Sequence, residues 1–138
     1  MSVLLERLDD EEVSLLILKD GASIYSSRKG GIAPLLDAIA QLGRDRLSNS
    51  TVVDKVVGKA AALLIAYFKA ERVYSKLMSR AAAEILDRHG VGFFSSKTVD
   101  VIRNRAGTDI CPFEQLVLRV EEPAEAYTLL KRAASLSS

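Results

Sequence analysis

Residues 51–68, TVVDKVVGKAAALLIAYF, begin with the pattern of a buried strand and end with that of a buried helix. Thr51–Val53 predicts the strand, and Asp54 is placed to cap the helix that follows. Lys55 and Lys59 would then lie in the first turns of that helix, where the backbone already presents partial positive charge. Two cations four residues apart on one helix face also repel each other. A bound anion would explain why both lysines are there.

Strand and helix patterns alternate on both sides of this stretch. Upstream, Lys19-Asp20-Gly21 separates two apolar runs, and Asp-Gly between such runs is a strong hairpin signal. Downstream, two strand patterns flank a helix that Gly90 closes. The predicted elements are a helical turn at 2–10, the hairpin at 13–28, helix 32–43, the strand and helix of 51–69, strand 72–79, helix 80–90, strand 91–99 and helices 111–118 and 121–136.

This order of elements predicts the fold class. A hairpin that continues into alternating helices and strands requires a mixed sheet with helices on both faces. We therefore expect an α/β protein, a three-layer α/β/α sandwich with a five-stranded mixed sheet. One domain should span residues 1–138, with its core at about 8–133.

The composition limits the classes of function. The formal net charge is +1 and aromatic residues make up 6 %, which is not the basic, aromatic-rich character of a nucleic-acid-binding protein. The longest apolar stretch, Ala60–Phe68, is far shorter than the roughly 20 residues of a membrane-spanning helix. The first residues lack the pattern of a signal peptide, and a single cysteine excludes an intrachain disulfide. We expect a cytoplasmic protein with no membrane partner.

Three stretches of the chain resemble a known family. They are GGIAPLLDAI (30–39), VVDKVVGKAAALL (52–64) and NRAGTDICPFEQLVL (104–118). Together they resemble the bacterial family catalogued as domain of unknown function 1893, over about residues 8–133. The resemblance implies a fold of the cytidine deaminase-like superfamily. It implies no reaction, because the family has none assigned and a fold alone does not supply one.

The residues themselves test whether the chain could inherit deaminase chemistry. Zinc deaminases need a His or Cys ligand and a catalytic Glu at the start of the first core helix, and two Cys at the start of the second. Here the first predicted helix starts with GIAP (31–34) and the second with DKVVG (54–58). His89 and Cys111 are the only residues of their kinds, and both lie elsewhere in the chain. We therefore expect no zinc site and no other cofactor.

The second predicted helix carries the main candidate site, formed by Asp54, Lys55, Gly58 and Lys59. Helix N–H groups and lysines could together bind a phosphate or a carboxylate, and Gly58 would let the backbone approach a ligand. The pattern is not a P-loop, because the first glycine and the magnesium-binding hydroxyl of that motif are both missing. A structural interpretation stays open, in which Asp54 caps the helix and Gly58 allows tight packing.

A glycine pair could extend this site. Gly30 and Gly31 follow Arg28 and Lys29 at the start of the first predicted helix. Two cations beside a helix N-terminus could bind phosphate. The same residues would also make an ordinary flexible, solvated turn.

The segment 103–111 provides the remaining candidates. Arg103, Asn104 and Thr108 could reach a polar ligand in the same pocket. Cys111 lies at a predicted helix cap, where the helix field would favour the reactive thiolate. A small buried hydrophobic residue explains Cys111 as well.

Three functions follow from these patterns. The first is binding of a phosphate-bearing, nucleotide-type ligand, such as a nucleotide or ADP-ribose, in a cleft that has lost its zinc. The second is a metal-free enzyme that uses Asp54, Lys55 or Lys59, or Cys111. The third is a protein-interaction module that uses a sheet edge or the terminal helix, with a homo-oligomer as one possible form.

Overall fold

The computed structural model describes residues 3–101 and 112–137 of the chain. Helices and strands alternate there in the predicted order. The elements are α1 (Val3–Asp10), β1 (Leu15–Lys19), β2 (Ala22–Ser27), α2 (Ala33–Leu47), β3 (Thr51–Val57), α3 (Lys59–Tyr67), β4 (Arg72–Ser79), α4 (Arg80–Arg88), β5 (Gly92–Val99), α5 (Pro112–Leu116) and α6 (Pro123–Ser137).

The five strands form one mixed sheet in the order β2-β1-β3-β4-β5. β1 is antiparallel to both of its neighbours, β2 and β3. β3, β4 and β5 run parallel to one another, each joined to the next through a helix. The predicted α/β class and five-stranded mixed sheet are therefore confirmed.

The hairpin between β1 and β2 has the predicted turn. Asp20 and Gly21 have φ angles of 52° and 81°, and two successive positive values are the geometry that an Asp-Gly hairpin turn requires. Farther along the hairpin, the register shifts between Ile17 and Leu18, so β2 carries a bulge.

Helices pack on both faces of the sheet. One face is covered by α2, α3, α4 and α6, whose buried side chains join the strands in the larger hydrophobic core. The other face is covered by α1, where Leu5 and Leu8 pack on Leu16, Leu18 and Val53 in a second core. This arrangement is consistent with the predicted three-layer sandwich.

α3 lies at the centre of the larger core. All of its residues from Lys59 to Ala66 are buried, because the sheet lies on one side and α4 and α6 on the other. This position explains the run of alanines and leucines at 60–66, which is apolar on every face of the helix. Among the described residues, no helix is both long and apolar enough to cross a bilayer.

The predicted start of the central helix was wrong. β3 continues through Val57, where it pairs with Met78 of β4, and α3 begins only at Lys59 with Gly58 as its N-cap residue. Asp54 therefore lies within the strand and does not cap the helix, and Lys55 is also a strand residue. The reason is physical: Val56 and Val57 are β-branched and apolar, so they extend the ladder with β4.

Candidate functional site

A cleft of about 100 Å³ lies at the carboxyl end of β3, where α2 and α3 begin. Its lining is mostly apolar, with polar groups from several segments. The lining residues are Ser14, Lys29, Gly31, Ile32, Asp54, Val56, Gly58, Ala61, Phe113 and Glu114.

Glu114 of α5 binds the N-terminus of α3 from across this cleft. The backbone N–H of Lys59 donates to Glu114 Oε1 at 2.6 Å, and the backbone N–H of Ala60 donates to Oε2 at 2.7 Å. One carboxylate thus satisfies two of the amides that a helix start leaves unpaired, and its charge complements the helix dipole. The start of α3 is therefore capped by a carboxylate of the chain itself.

Gly58 makes room for this carboxylate. A Cβ atom at position 58 would lie 2.5 Å from Glu114 Oε1 and 2.7 Å from its Cδ, far inside van der Waals contact. The backbone of Gly58 has φ −95° and ψ −177°, which any residue adopts. Close approach is therefore the requirement for glycine here, as the sequence suggests, and the approaching group is Glu114.

The side chain of Lys59 points to the connection between α5 and α6. Its Nζ donates to the carbonyl of Leu118 at 3.0 Å and pairs with Glu121 at 2.6 Å. Glu121 also binds Arg88 at 2.6 Å, and the hydrogen bonds from Arg88 and Lys59 lower the pKa of Glu121 to about 2. Lys59 thus contributes its backbone amide to the Glu114 contact and its ammonium to holding the chain after α5.

Lys55 points to the other face of the sheet. Successive strand residues point to opposite faces, and its neighbour Asp54 lines the cleft. The charge of Lys55 acts instead on Asp9 of α1, whose pKa is lowered mainly by Lys76 and to a smaller extent by Lys55. The structure therefore does not bring the side chains of Lys55 and Lys59 together.

Asp54 is the buried ionisable group of the cleft, with 7 % of its surface exposed. Burial raises the pKa of Asp54 from 3.8 to about 7, although backbone N–H groups of Lys55 and Val56 donate to its carboxyl and act in the opposite direction. At neutral pH this carboxyl is therefore divided between a neutral form that can donate a hydrogen bond and an anionic form that can accept a proton.

The glycine pair contributes one residue to the cleft. Gly31 lines it with a φ of 67°, just before α2, whereas Gly30 is not among the lining residues. Lys29 also lines the cleft, and its ammonium pairs with Asp37 at 2.8 Å. The Ser14 hydroxyl donates to the carbonyl of Lys29 and so fixes this wall to the start of β1.

Arg103, Asn104, Thr108 and Cys111 lie outside the residues that the structure describes. Within the described ranges, no group of three or more His, Cys, Asp or Glu side chains could hold a metal ion.

Sequence reasoning missed the most important group, Glu114. The PFE motif at 112–114 predicts a capping box, in which Glu114 would serve its own helix. The carboxylate instead crosses to a helix that starts 55 residues earlier in the chain. Local patterns carry no signal for such a contact.

Two comparisons place the chain among known proteins. A solved structure, that of a DUF1893 family protein (TM1506) from Thermotoga maritima, is similar with a TM-score of 0.84 and 28 % sequence identity, over 96 % of this chain and 92 % of that one. No curated protein matches the chain. The pattern of the family described as "Domain of unknown function (DUF1893)" matches residues 3–133. The chain therefore belongs to the DUF1893 family.

Proposed function

We propose that the chain binds a small phosphate-bearing ligand of the nucleotide type in the cleft, with a phosphate group in the position of the Glu114 carboxylate. The observation that carries this proposal is the pair of α3 amides, which hold two carboxylate oxygens at 2.6 and 2.7 Å. Two N–H groups at a helix start suit phosphate oxygens equally well.

The other lining groups are compatible with an anion. Neutral Asp54 can donate a hydrogen bond to a phosphate oxygen, as a carboxylate could not. Lys29 also lines the cleft, and its exposed ammonium, which pairs with Asp37, is a further donor near the site. Gly31 and Gly58 expose backbone to the ligand, because neither has a side chain between its amide and the cleft.

The size of the cleft limits which part of such a ligand it can enclose. Pockets that enclose a drug-sized ligand measure roughly 300–1,000 Å³, and this cleft measures about 100 Å³. It can take a phosphate group and cannot enclose a nucleoside as well. The base and sugar would then extend past Lys29 and Gly31 to the surface, and the phosphate would account for most of the affinity.

We extend the proposal to membership of the cytidine deaminase-like superfamily. In that superfamily the starts of two core helices carry the zinc ligands. Gly31, before α2, and Gly58, before α3, both border the cleft, and this supports the assignment. A bacterial source and a cytoplasmic location belong to the same proposal, supported by the Thermotoga maritima relative and by the single cysteine.

A thermal-shift panel tests the binding proposal, since a ligand that binds only the folded state raises the melting temperature. The panel compares inorganic phosphate, AMP and ADP-ribose with adenosine, which has no phosphate. Glu114→Ala removes the internal anion, so phosphate compounds should stabilise this variant more than the wild type, and adenosine should stabilise neither. Lys55→Ala is the matched control, because its side chain faces away from the cleft, and it should respond as the wild type does.

Two results would overturn the proposal. One is an unchanged melting temperature for both wild type and Glu114→Ala with every phosphate compound. The other is an equal shift with adenosine, because binding would then not depend on the phosphate.

A metal-free enzyme is the second candidate, favoured by Asp54. A general acid–base works best when its pKa is near the working pH, and the pKa of Asp54 is raised to about 7 inside a cleft. Compounds that bind in the panel should then be converted on prolonged incubation, and Asp54→Asn should abolish conversion while leaving binding detectable by thermal shift. Conversion that persists in Asp54→Asn would exclude this role.

A further inference from the structure

The outer edge of β5 is the least protected part of the sheet. β5 is the last strand in the sheet order, and within the described residues no strand pairs with its outer side. Phe93 and Phe94 point to opposite faces of the sheet, yet both are substantially exposed, at 43 % and 40 %. An eight-residue edge with exposed aromatic residues on both faces invites pairing with another strand.

The opposite edge of the sheet, formed by β2, is better protected from pairing than β5. β2 carries a bulge at its pairing with β1, and bulges are one of the devices that protect edge strands from pairing. β5 pairs with β4 in one constant register over Arg72 to Ser79, and its single charged residue is Lys97. Among the residues that the structure describes, the two edges are therefore not equivalent, and β5 is the one without a bulge or a pairing strand on its outer side.

We propose that β5 pairs with the β5 of a second copy of this chain, antiparallel about a two-fold axis at Ser96, to give a continuous ten-stranded sheet. A two-fold axis perpendicular to a sheet must pass through a residue paired with itself, because hydrogen-bonded and non-hydrogen-bonded pairs alternate along an antiparallel ladder. An axis at Ser96 sets Phe93 opposite the partner's Val99, and Phe94 opposite the partner's Thr98. Each exposed ring thereby gains a cross-strand neighbour with a methyl group.

Charge complementarity supports this register and this occupant. With the axis at Ser96, Gly92 lies opposite the partner's Asp100, and Arg72 lies beside Gly92 in the register of β4 with β5. Gly92 has no side chain, so the Arg72 guanidinium can extend across it to the partner's carboxylate. Within one chain Asp100 pairs with Arg80 at 2.7 Å and Arg72 approaches Glu71 at 3.6 Å, and all four side chains are half or more exposed. The Asp100 carboxylate has a second oxygen with which to accept from the partner's Arg72, and the two-fold repeats the contact, so each dimer would contain two such pairs.

Charge reversal tests the pairing by sedimentation of the full-length chain. The wild type should be a dimer. Asp100→Arg and Arg72→Asp should each raise the dimer dissociation constant by about tenfold or more, because each sets like charges together. The variant that carries both Asp100→Arg and Arg72→Asp should restore the wild-type dissociation constant, which two simple folding defects could not do. Glu6→Arg, an equal charge change on α1, should have no effect, and circular dichroism should show all variants folded.

Cysteine cross-linking tests the register independently, in a Cys111→Ser background. Residues paired with themselves have Cα atoms about 4.5–5.5 Å apart, within the range of a disulfide, so Ser96→Cys should form a covalent dimer on mild oxidation. Lys97→Cys is the control, since its two copies would be about 8 Å apart. A monomeric wild type at high concentration would overturn the proposal. So would a dimer that neither cross-links at position 96 nor responds to charge reversal.

Discussion

The Glu114 carboxylate lies where a side chain at position 58 would have to be. Its two oxygens bind consecutive amides of α3, and its three terminal atoms are the nearest to a Cβ built on Gly58. The missing side chain at residue 58 thus leaves the space that the Glu114 carboxylate occupies, and the start of the central helix is capped by a residue 55 positions later in the chain.

Gly58→Ala should lower the free energy of unfolding by about 1–2 kcal/mol, the usual cost of losing a helix cap. Alanine itself suits the backbone of residue 58, so the loss comes from displacing Glu114. In a Glu114→Ala background the same substitution should be neutral or slightly stabilising, by up to about 1 kcal/mol, because alanine restricts the unfolded chain. Urea unfolding of the four proteins in this double-mutant cycle measures the coupling. An equal loss of unfolding free energy in the two backgrounds would show that residues 58 and 114 are not coupled.

Asp54 should make stability fall as pH rises. Its folded pKa of about 7 lies above the unfolded value of 3.8, so the folded protein holds the extra proton between these values. The stabilisation is complete below about pH 4 and is lost as the pH rises through 7, by at most about 4 kcal/mol. Asp54→Asn removes this slope, and should therefore be more stable than the wild type at pH 8. If the unfolding free energies of wild type and Asp54→Asn changed with pH in parallel, the raised pKa of Asp54 would be contradicted.

The same carboxyl should couple ligand binding to pH. ADP-ribose is the suitable probe, because both of its phosphates stay singly charged from pH 6 to 8. The wild type should bind it more weakly at pH 8 than at pH 6, since ionised Asp54 repels the phosphate. Calorimetric titration of Asp54→Asn with ADP-ribose should give the same affinity at pH 6 and at pH 8. A wild-type affinity independent of pH would show that Asp54 does not face the phosphate.

Lys59→Met should destabilise the fold by about 1–3 kcal/mol, because it leaves the carbonyl of Leu118 without its buried donor. Arg88→Met is the matched control at the other partner of Glu121. Its guanidinium is half exposed, so the loss should be within about 1 kcal/mol. Thermal unfolding of the two variants compares them directly, and an equal loss would assign the role of Lys59 to surface charge alone.

Local patterns predicted much of this fold. The Asp20-Gly21 turn, the bounds of β4 and the closure of α4 before Gly90 all agree, because turn chemistry and strand alternation are encoded within a few residues. The start of α3 was mispredicted because Asp54 resembles a helix cap. Only pairing with β4 extends the strand beyond that residue, and such pairing is a property of the tertiary structure.

The candidate site was predicted in part for the same reason. Gly31, Asp54 and Gly58 line one cleft, as the strand and helix order suggests. Lys55 does not, because β3 runs four residues beyond the predicted end at Val53, and the side chain of this strand residue points to the other face. Glu114 could not be assigned to α3 from sequence, since nothing in residues 112–116 indicates which helix start the carboxylate reaches.

Amide NMR of residues 59 and 60 tests the central claim most directly. In ¹H–¹⁵N spectra of the Glu114→Ala variant, titration with ADP-ribose should shift the Lys59 and Ala60 resonances saturably, and should do so at lower ligand concentration than in the wild type. Those two resonances should already differ between the two proteins without ligand, because the variant lacks the internal carboxylate. Unchanged Lys59 and Ala60 amides at saturating ADP-ribose would contradict the claim that this helix start binds a phosphate.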